Sequence, residues 1–249
     1  MLGNLFGHLI TQSGDWRSYL ISFLLSLPIV LLALSVHETA HGFMASKLGD
    51  PTAKSLGRLT LNPLKHIDIF GFICMLLCGF GWAKPVPINS RYFKKPRRDM
   101  ALTALAGPVS NLALAAVFTA FLKLADMLFT FAMRNNAFPN QLTQTMAICV
   151  LIFLYYGISL NVTLAVFNLI PLPPLDGSRI LTAFLPQKLA YKFIKYERII
   201  SIVLIVLLLF GLSSLISFIT DLIVMLYLTA GLLTNTYTWF FVYYGAPLF

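Results

Sequence analysis

Acidic residues are scarce in this chain. Nine of its 249 residues are Asp or Glu, and the glutamates are Glu38 and Glu197 alone, so every carboxylate available for chemistry can be named in advance. Charged residues of both signs make up 11%, too few to solvate the surface of a water-soluble domain of this size. Cysteine is also short. Cys74, Cys78 and Cys149 are odd in number and sit in apolar surroundings, which argues against a disulfide framework. Cys74 and Cys78 can share a helical face as ligands, but small apolar filler is the better reading. No repeat or low-complexity segment is evident, and no polar stretch is long enough to hold a PDZ or nucleotide-sensing domain. A net charge of +9 raises the question of nucleic acid, yet the basic residues are distributed along the chain rather than clustered on a soluble module, so no nucleic-acid partner is expected.

What the chain has is apolar length. Hydrophobic residues make up 58% and the mean hydropathy is +0.82, the composition of a polytopic membrane protein whose apolar surface is solvated by lipid. Spanning a bilayer takes about 20 apolar residues, and four stretches qualify, at about 19–46, 100–122, 146–170 and 199–219. The first leads directly into the motif described below, which cleavage of a signal peptide would separate from its helix, so it is expected to be a true span. Ten of the 18 Lys and Arg lie between Lys47 and Arg98, and five more between Arg179 and Arg198. By the positive-inside bias both segments face the cytoplasm. Counting crossings gives the same answer, with the N-terminus and the 123–145 connection outside.

Ile69 to Phe80 holds only 12 apolar-rich residues, closely followed by Gly81, Pro85 and Pro87, so a re-entrant or interfacial element is expected there. Residues 57–62 alternate polar with apolar, and the 84–88 segment is extended by its prolines; together they predict a small membrane-surface sheet. Pro85 and Pro87 stand two apart, so their missing donors face one side and mark an edge strand. Such an edge can receive an extended substrate by strand addition, or can simply end a sheet. Past Asp221 the chain is apolar to Leu233 and then rich in Tyr, Trp and Phe, which suits either a fifth span or an interfacial helix.

His37-Glu38-Thr39-Ala40-His41 stands at the cytoplasmic end of the first span. Residues four apart share a helical face, so both imidazoles can reach one ion while Glu38 stands close enough to activate bound water. The pattern is expected by chance in roughly one chain in two thousand of this composition. Ionisable groups at membrane depth are functional by default, although polar side chains also join helices. Zinc is the expected ion and hydrolysis the expected chemistry. A catalytic zinc takes three protein ligands. Asp15, Asp126 and Asp221 fall on the opposite membrane face by the topology above; Asp50, Asp68, Asp99, Asp176 and Glu197 remain. Asp176 is the best of these, since it ends the third span at the same depth, on a turn stiffened by Pro171, Pro173, Pro174 and Gly177.

Several separated signatures resemble the site-2 proteases, intramembrane zinc metalloproteases, and in particular their compact prokaryotic members. They are His37-Glu38-x-x-His41, Asn62-Pro63-x-x-His66-Ile67-Asp68, the 81–87 loop beginning Gly81-Trp82, Gly107-Pro108-Val109-Ser110-Asn111 and Leu175-Asp176-Gly177. The match runs in the expected order from about Ser35 to Arg179. The resemblance implies that His37, His41 and Asp176 bind one Zn2+ per chain and that Glu38 is the catalytic acid/base. It also implies that Asn111 helps hold substrate or the oxyanion, the alternative being a helix-pairing amide, since Gly107 and Asn111 make a small-xxx-polar face suited to close packing. His66 and Asp68 resemble positions near the site, the alternative being a satisfied interfacial His and a solvated Asp. Asn161 and Asn168 are expected to line the same polar pocket or to join helices. The implied substrate is a transmembrane protein, such as a membrane-anchored regulator already trimmed once. The expected fold is an all-α polytopic membrane protein of four to five transmembrane helices, with the small surface sheet and re-entrant segment. It forms one membrane-embedded metalloprotease domain, 1–249, with a catalytic core at about 19–185 and C-terminal helices at about 188–245. The expected place is a prokaryotic cell membrane, among lipid, with the active site toward the cytoplasm. Two other readings compete. A CAAX-processing type of membrane metalloprotease uses a downstream Glu as third ligand, here Glu197, which lacks a supporting motif. A non-enzymatic scaffold or ion transporter uses its polar residues to pair helices or carry an ion, and a transporter is expected to show an internal repeat that is not found here.

Overall fold

The computed structural model describes residues 16–78, 81–135, 141–207 and 213–230. Helix α1 spans Trp16–Lys47, and a short turn of helix, α2, spans Thr52–Ser55. Helix α3 covers Ile69–Cys78, α4 Pro96–Arg134 and α5 Gln141–Leu169. Then follow α6 at Asp176–Phe184, α7 at Gln187–Lys195, α8 at Glu197–Leu207 and α9 at Ser213–Ala230. Three of these are long and apolar enough to cross a membrane, at Phe23–Lys47, Pro96–Arg134 and Cys149–Leu169. The expected all-α membrane fold is therefore found in its coarser form: a mostly helical chain with three candidate spans.

Helix α5 is central. On one side its Leu151, Ile158 and Val162 pack with Ala115, Phe118 and Leu122 of α4 and with Val224 and Leu228 of α9. On another, Tyr156 and Leu160 meet Ile29 and Val30 of α1. A Cβ at Gly157 would lie 2.3 Å from the Phe118 ring, so the missing side chain is what lets α4 and α5 approach. Large apolar side chains such as Leu24, Phe121, Phe131 and Phe218 remain exposed on the outside of this bundle, the surface that lipid solvates in a membrane protein.

Several boundaries differ from expectation. Helix α4 runs 39 residues, about 58 Å at 1.5 Å per residue. The connection expected from 123 is thus helical as far as Arg134, because Lys123 and Asp126 interrupt the apolar pattern without breaking a helix. The fourth expected span is divided between α8 and α9, with 208–212 outside the described residues. Asp221 lies inside α9 rather than at a boundary. The aromatic-rich region after Ala230, with most of the expected fifth span's end, also lies outside the described residues. Helix α3 is ten residues long, about 15 Å and too short to span.

The expected sheet does not form among the described residues, where one isolated antiparallel bridge joins Ile67 and Ala83. Side chains have taken the bonds a ladder would need. Arg58 Nη2 donates to the carbonyls of Lys84 at 2.8 Å and Pro85 at 3.3 Å. The Val86 amide donates to Glu38, and Pro85 and Pro87 have no amide hydrogen to offer.

Candidate metal centre

His37 and His41 are one turn apart on α1, and both are buried. Asp176 is the first residue of α6, where the helix N-terminus favours a carboxylate. The turn that brings it there begins where α5 stops at Leu169. A Cβ at Gly177 would lie 2.4 Å from the carbonyl oxygens of Leu169 and Ile170, so only glycine lets α6 start against the end of α5.

One oxygen of Asp176, Oδ2, faces both imidazoles, 3.0 Å from His37 Nε2 and 3.3 Å from His41 Nε2. Candidate ligand atoms of the three residues all lie within 4.8 Å of one another. Tetrahedral zinc with bonds of about 2.0–2.1 Å holds its ligand atoms roughly 3.3–3.4 Å apart, a spacing that the two carboxylate–imidazole separations approach. Burial raises the Asp176 carboxyl, but hydrogen bonds to His37 and His41 outweigh this and hold it at about 2. It is ionised at neutral pH, as a metal ligand must be.

The other imidazole nitrogens supply a stronger test of fit. His41 Nδ1 lies 2.7 Å from the Thr103 carbonyl, which can only accept, so Nδ1 carries a proton and Nε2 is the nitrogen turned toward Asp176. His37 Nδ1 lies 2.5 Å from Asn111 Oδ1. The Asn111 amide orientation follows from its neighbours, because Nδ2 donates to the Ala33 carbonyl at 3.3 Å and to Asn161 Oδ1 at 3.0 Å. Asn161 Nδ2 in turn donates to the Gly157 carbonyl at 2.8 Å. Both histidines thereby have Nδ1 engaged and Nε2 turned toward Asp176, the kind of outer support that orients metal-binding imidazoles generally.

Asn111 is fully buried with its amide engaged on both sides, so in this structure it orients His37. Of the two expectations for it, a group near substrate or a helix-pairing amide, its bond to Asn161 across α4 and α5 has the form of the second. Asn111→Leu removes the acceptor and leaves His37 Nδ1–H unpaired; zinc affinity, read by chelator competition, is expected to fall roughly 10- to 100-fold.

Helix α4 also closes the floor of the centre. A Cβ at Gly107 would stand 2.5 Å from His41 Cε1 and 2.6 Å from His37 Cε1 and Nε2. The sequence pointed to Gly107 for helix packing; its neighbours are the imidazoles themselves. Gly107→Ala is expected to displace both rings and lower zinc affinity at least about tenfold, since misplacements well under an ångström already matter at such sites. Unchanged affinity in the same titration would show that α4 yields instead.

Glu38 is half-buried beside the centre and accepts from the Val86 amide at 2.8 Å. His66 is 2% exposed, its Nε2 donating to the Thr60 carbonyl at 2.7 Å. That same carbonyl receives the Thr39 hydroxyl at 2.7 Å, so His66 braces the residue next to Glu38. Asn168 Nδ2 bonds to the Leu164 carbonyl of its own helix. Asp68 accepts from the Gly71 amide and caps α3, while Asp50 is buried under the Thr52 and Asn89 amides. Glu197 meets Arg179 at 3.4 Å on the surface. Glu197→Gln is expected to leave one zinc per chain and to change stability by less than about 1 kcal/mol, as for other exposed pairs; loss of zinc would revive Glu197 as a ligand.

Comparison with known proteins gives the chain its relatives. The family model for peptidase family M50 matches residues 23–211. YwhC of Bacillus subtilis is 44% identical over 198 residues, which cover 79% of this chain and 85% of that protein. Rip2 of Mycolicibacterium smegmatis is 30% identical over 167 residues, 64% of this chain and 57% of that longer protein. A relative from Methanocaldococcus jannaschii is 30% identical over 162 residues, 65% of this chain and 71% of its own length. All three carry zinc metalloprotease in their names. No solved structure matches the chain significantly.

Proposed function

The chain belongs to peptidase family M50 and is an intramembrane zinc metalloprotease, and within that activity we propose that His37, His41 and Asp176 hold the zinc and Glu38 is the acid/base. The observation that supports this most is the meeting of three ligand atoms within 4.8 Å from positions 135 residues apart in sequence (His41 and Asp176). Both histidines already have Nδ1 engaged and Nε2 turned into the cluster.

A bound Zn2+ supplies Lewis-acid activation of water and of a peptide carbonyl. Glu38 accepts the proton from the attacking water and delivers it to the leaving amine nitrogen, the double duty of a positioned carboxylate. The Val86 amide occupies part of one oxygen's capacity and leaves the other oxygen of the carboxylate open. Asn111 and the Thr103 carbonyl fix the imidazoles, and Asp176, 20% exposed at its side chain, stands on the open side of the centre. Asn168, near the Asp176 turn, and His66 are retained as groups near the substrate path.

The proposed substrate is a single-span membrane protein such as a membrane-anchored regulator. Its helix hides its carbonyls in backbone hydrogen bonds, so local unwinding precedes attack, and helix-breaking residues near the cut favour it. The basic segments that follow the motif-bearing helix and the Asp176 turn support a centre near the cytoplasmic face, where water is cheapest to supply. Co-expression with candidate single-span substrates, followed by mass mapping of the fragments, tests this reading. The cut is expected inside or at the cytoplasmic end of the apolar span; cleavage confined to a substrate's soluble domain would overturn it.

A further inference from the structure

We propose that residues 84–89 form a fixed backbone arm whose one task at the centre is to aim the Glu38 carboxylate through the Val86 amide. The inference rests on the reading of Glu38 as acid/base. Pro85 and Pro87 carry no amide hydrogen, so within 85–87 the backbone has a single donor, that of Val86. It is spent on Glu38 Oε2 at 2.8 Å. A proline on each side removes any competing donor.

The arm is tied down along its length. The Lys84 amide donates to the His66 carbonyl at 2.8 Å, and Arg58 grips the carbonyls of Lys84 and Pro85. At the far end, the Asn89 amide donates to Asp50 Oδ2 at 2.6 Å. Asp50 is itself fully buried and held by the Thr52 amide and hydroxyl. Between these ties the Val86 side chain is buried and would lie 3.1 Å from a Cβ at Gly42. Glu38 and Gly42 are four apart and share one face of α1, so the arm runs along that face, main chain on the acid and side chain on the glycine. Val86 by its main chain, and Asp50 and Arg58 through the arm, are positioning residues.

The test compares two substitutions at one position in the zinc-loaded protein. Val86→Pro deletes the amide, while Val86→Ala keeps it and loses only packing. Val86→Pro is expected to lower kcat for a single-span substrate on the order of 10- to 100-fold beyond Val86→Ala, with KM and zinc content little changed. Equal kcat for the two variants overturns the proposal. An independent measurement covers the case in which Val86→Pro does not fold. Hydrogen exchange over 85–87 reports Val86 alone, since no other amide hydrogen exists there. Glu38→Ala is expected to speed that exchange roughly tenfold or more; unchanged protection overturns the arm without any activity measurement. If instead Glu38→Gln retained cleavage, the acid/base reading would be the one to fail, and the exchange result would still decide whether the bond exists.

Discussion

Glu38→Gln is expected to leave the fold and one zinc per chain intact while lowering cleavage of a transmembrane substrate on the order of 10²- to 10⁴-fold, the range for loss of a positioned acid/base. The substitution is close to isosteric. The amide oxygen of Gln can still accept from the Val86 N–H, so the 84–89 arm keeps its partner. The proposed zinc ligands lose nothing, because Glu38 contributes no atom to the His37, His41 and Asp176 cluster. What disappears is the ability to take a proton from water and return it to the amine. Co-expression with a single-span substrate, comparing wild type and variant at equal protein and zinc content, reads the difference; retained cleavage would remove Glu38 from the mechanism.

The motif and its meeting with Asp176 were legible because they depend on short-range rules and on scarcity. Helical spacing puts His37 and His41 on one face whatever the rest of the chain does. With so few carboxylates and a charge-derived topology, Asp176 became the best partner before any geometry was known. The outer ring around those ligands was much less legible. Asn111 carried a polar signal in an apolar helix, but its contact with His37 spans 74 positions, and nothing local distinguishes an orienting amide from one that meets substrate. Gly107 was visible as a small residue on a packing face, and what packs there, a pair of imidazoles, is a tertiary fact.

The membrane-surface region shows a different limit. Residues 57–62 and 84–88 have the alternation and prolines of paired strands, and pattern alone assigns them a ladder. Whether a ladder forms depends on what else competes for each amide and carbonyl. Here Arg58 and Glu38, both side chains from outside the 84–88 segment, win that competition. Span ends were unreliable for a related reason. Charge marks where a chain prefers to leave lipid, but Lys123, Asp126 and Asp221 all sit within continuous helices, since a charged residue does not break helical hydrogen bonding.

Asp176→Ala is expected to lose zinc outright, falling from one ion per chain to a small fraction after dialysis, with cleavage lost in parallel. Removing an outer partner of a metal ligand costs roughly 10- to 100-fold in affinity, and removing a ligand itself should exceed that range. Asp176 Oδ2 faces both Nε2 atoms, so its loss leaves the cluster of candidate ligands with two imidazoles and no carboxylate. Asp176→Asn separates charge from shape: the amide oxygen can occupy the same place without the negative charge, and affinity should fall between wild type and Ala. His37→Ala should match Asp176→Ala in zinc content, although His37 comes from α1 and Asp176 from the start of α6. Agreement between the two, measured by metal analysis on protein purified without chelator, is what a single shared ion requires. Zinc retained at full stoichiometry in Asp176→Ala would mean that the ion lies elsewhere and that the 3.0 Å and 3.3 Å contacts are hydrogen bonds and nothing more.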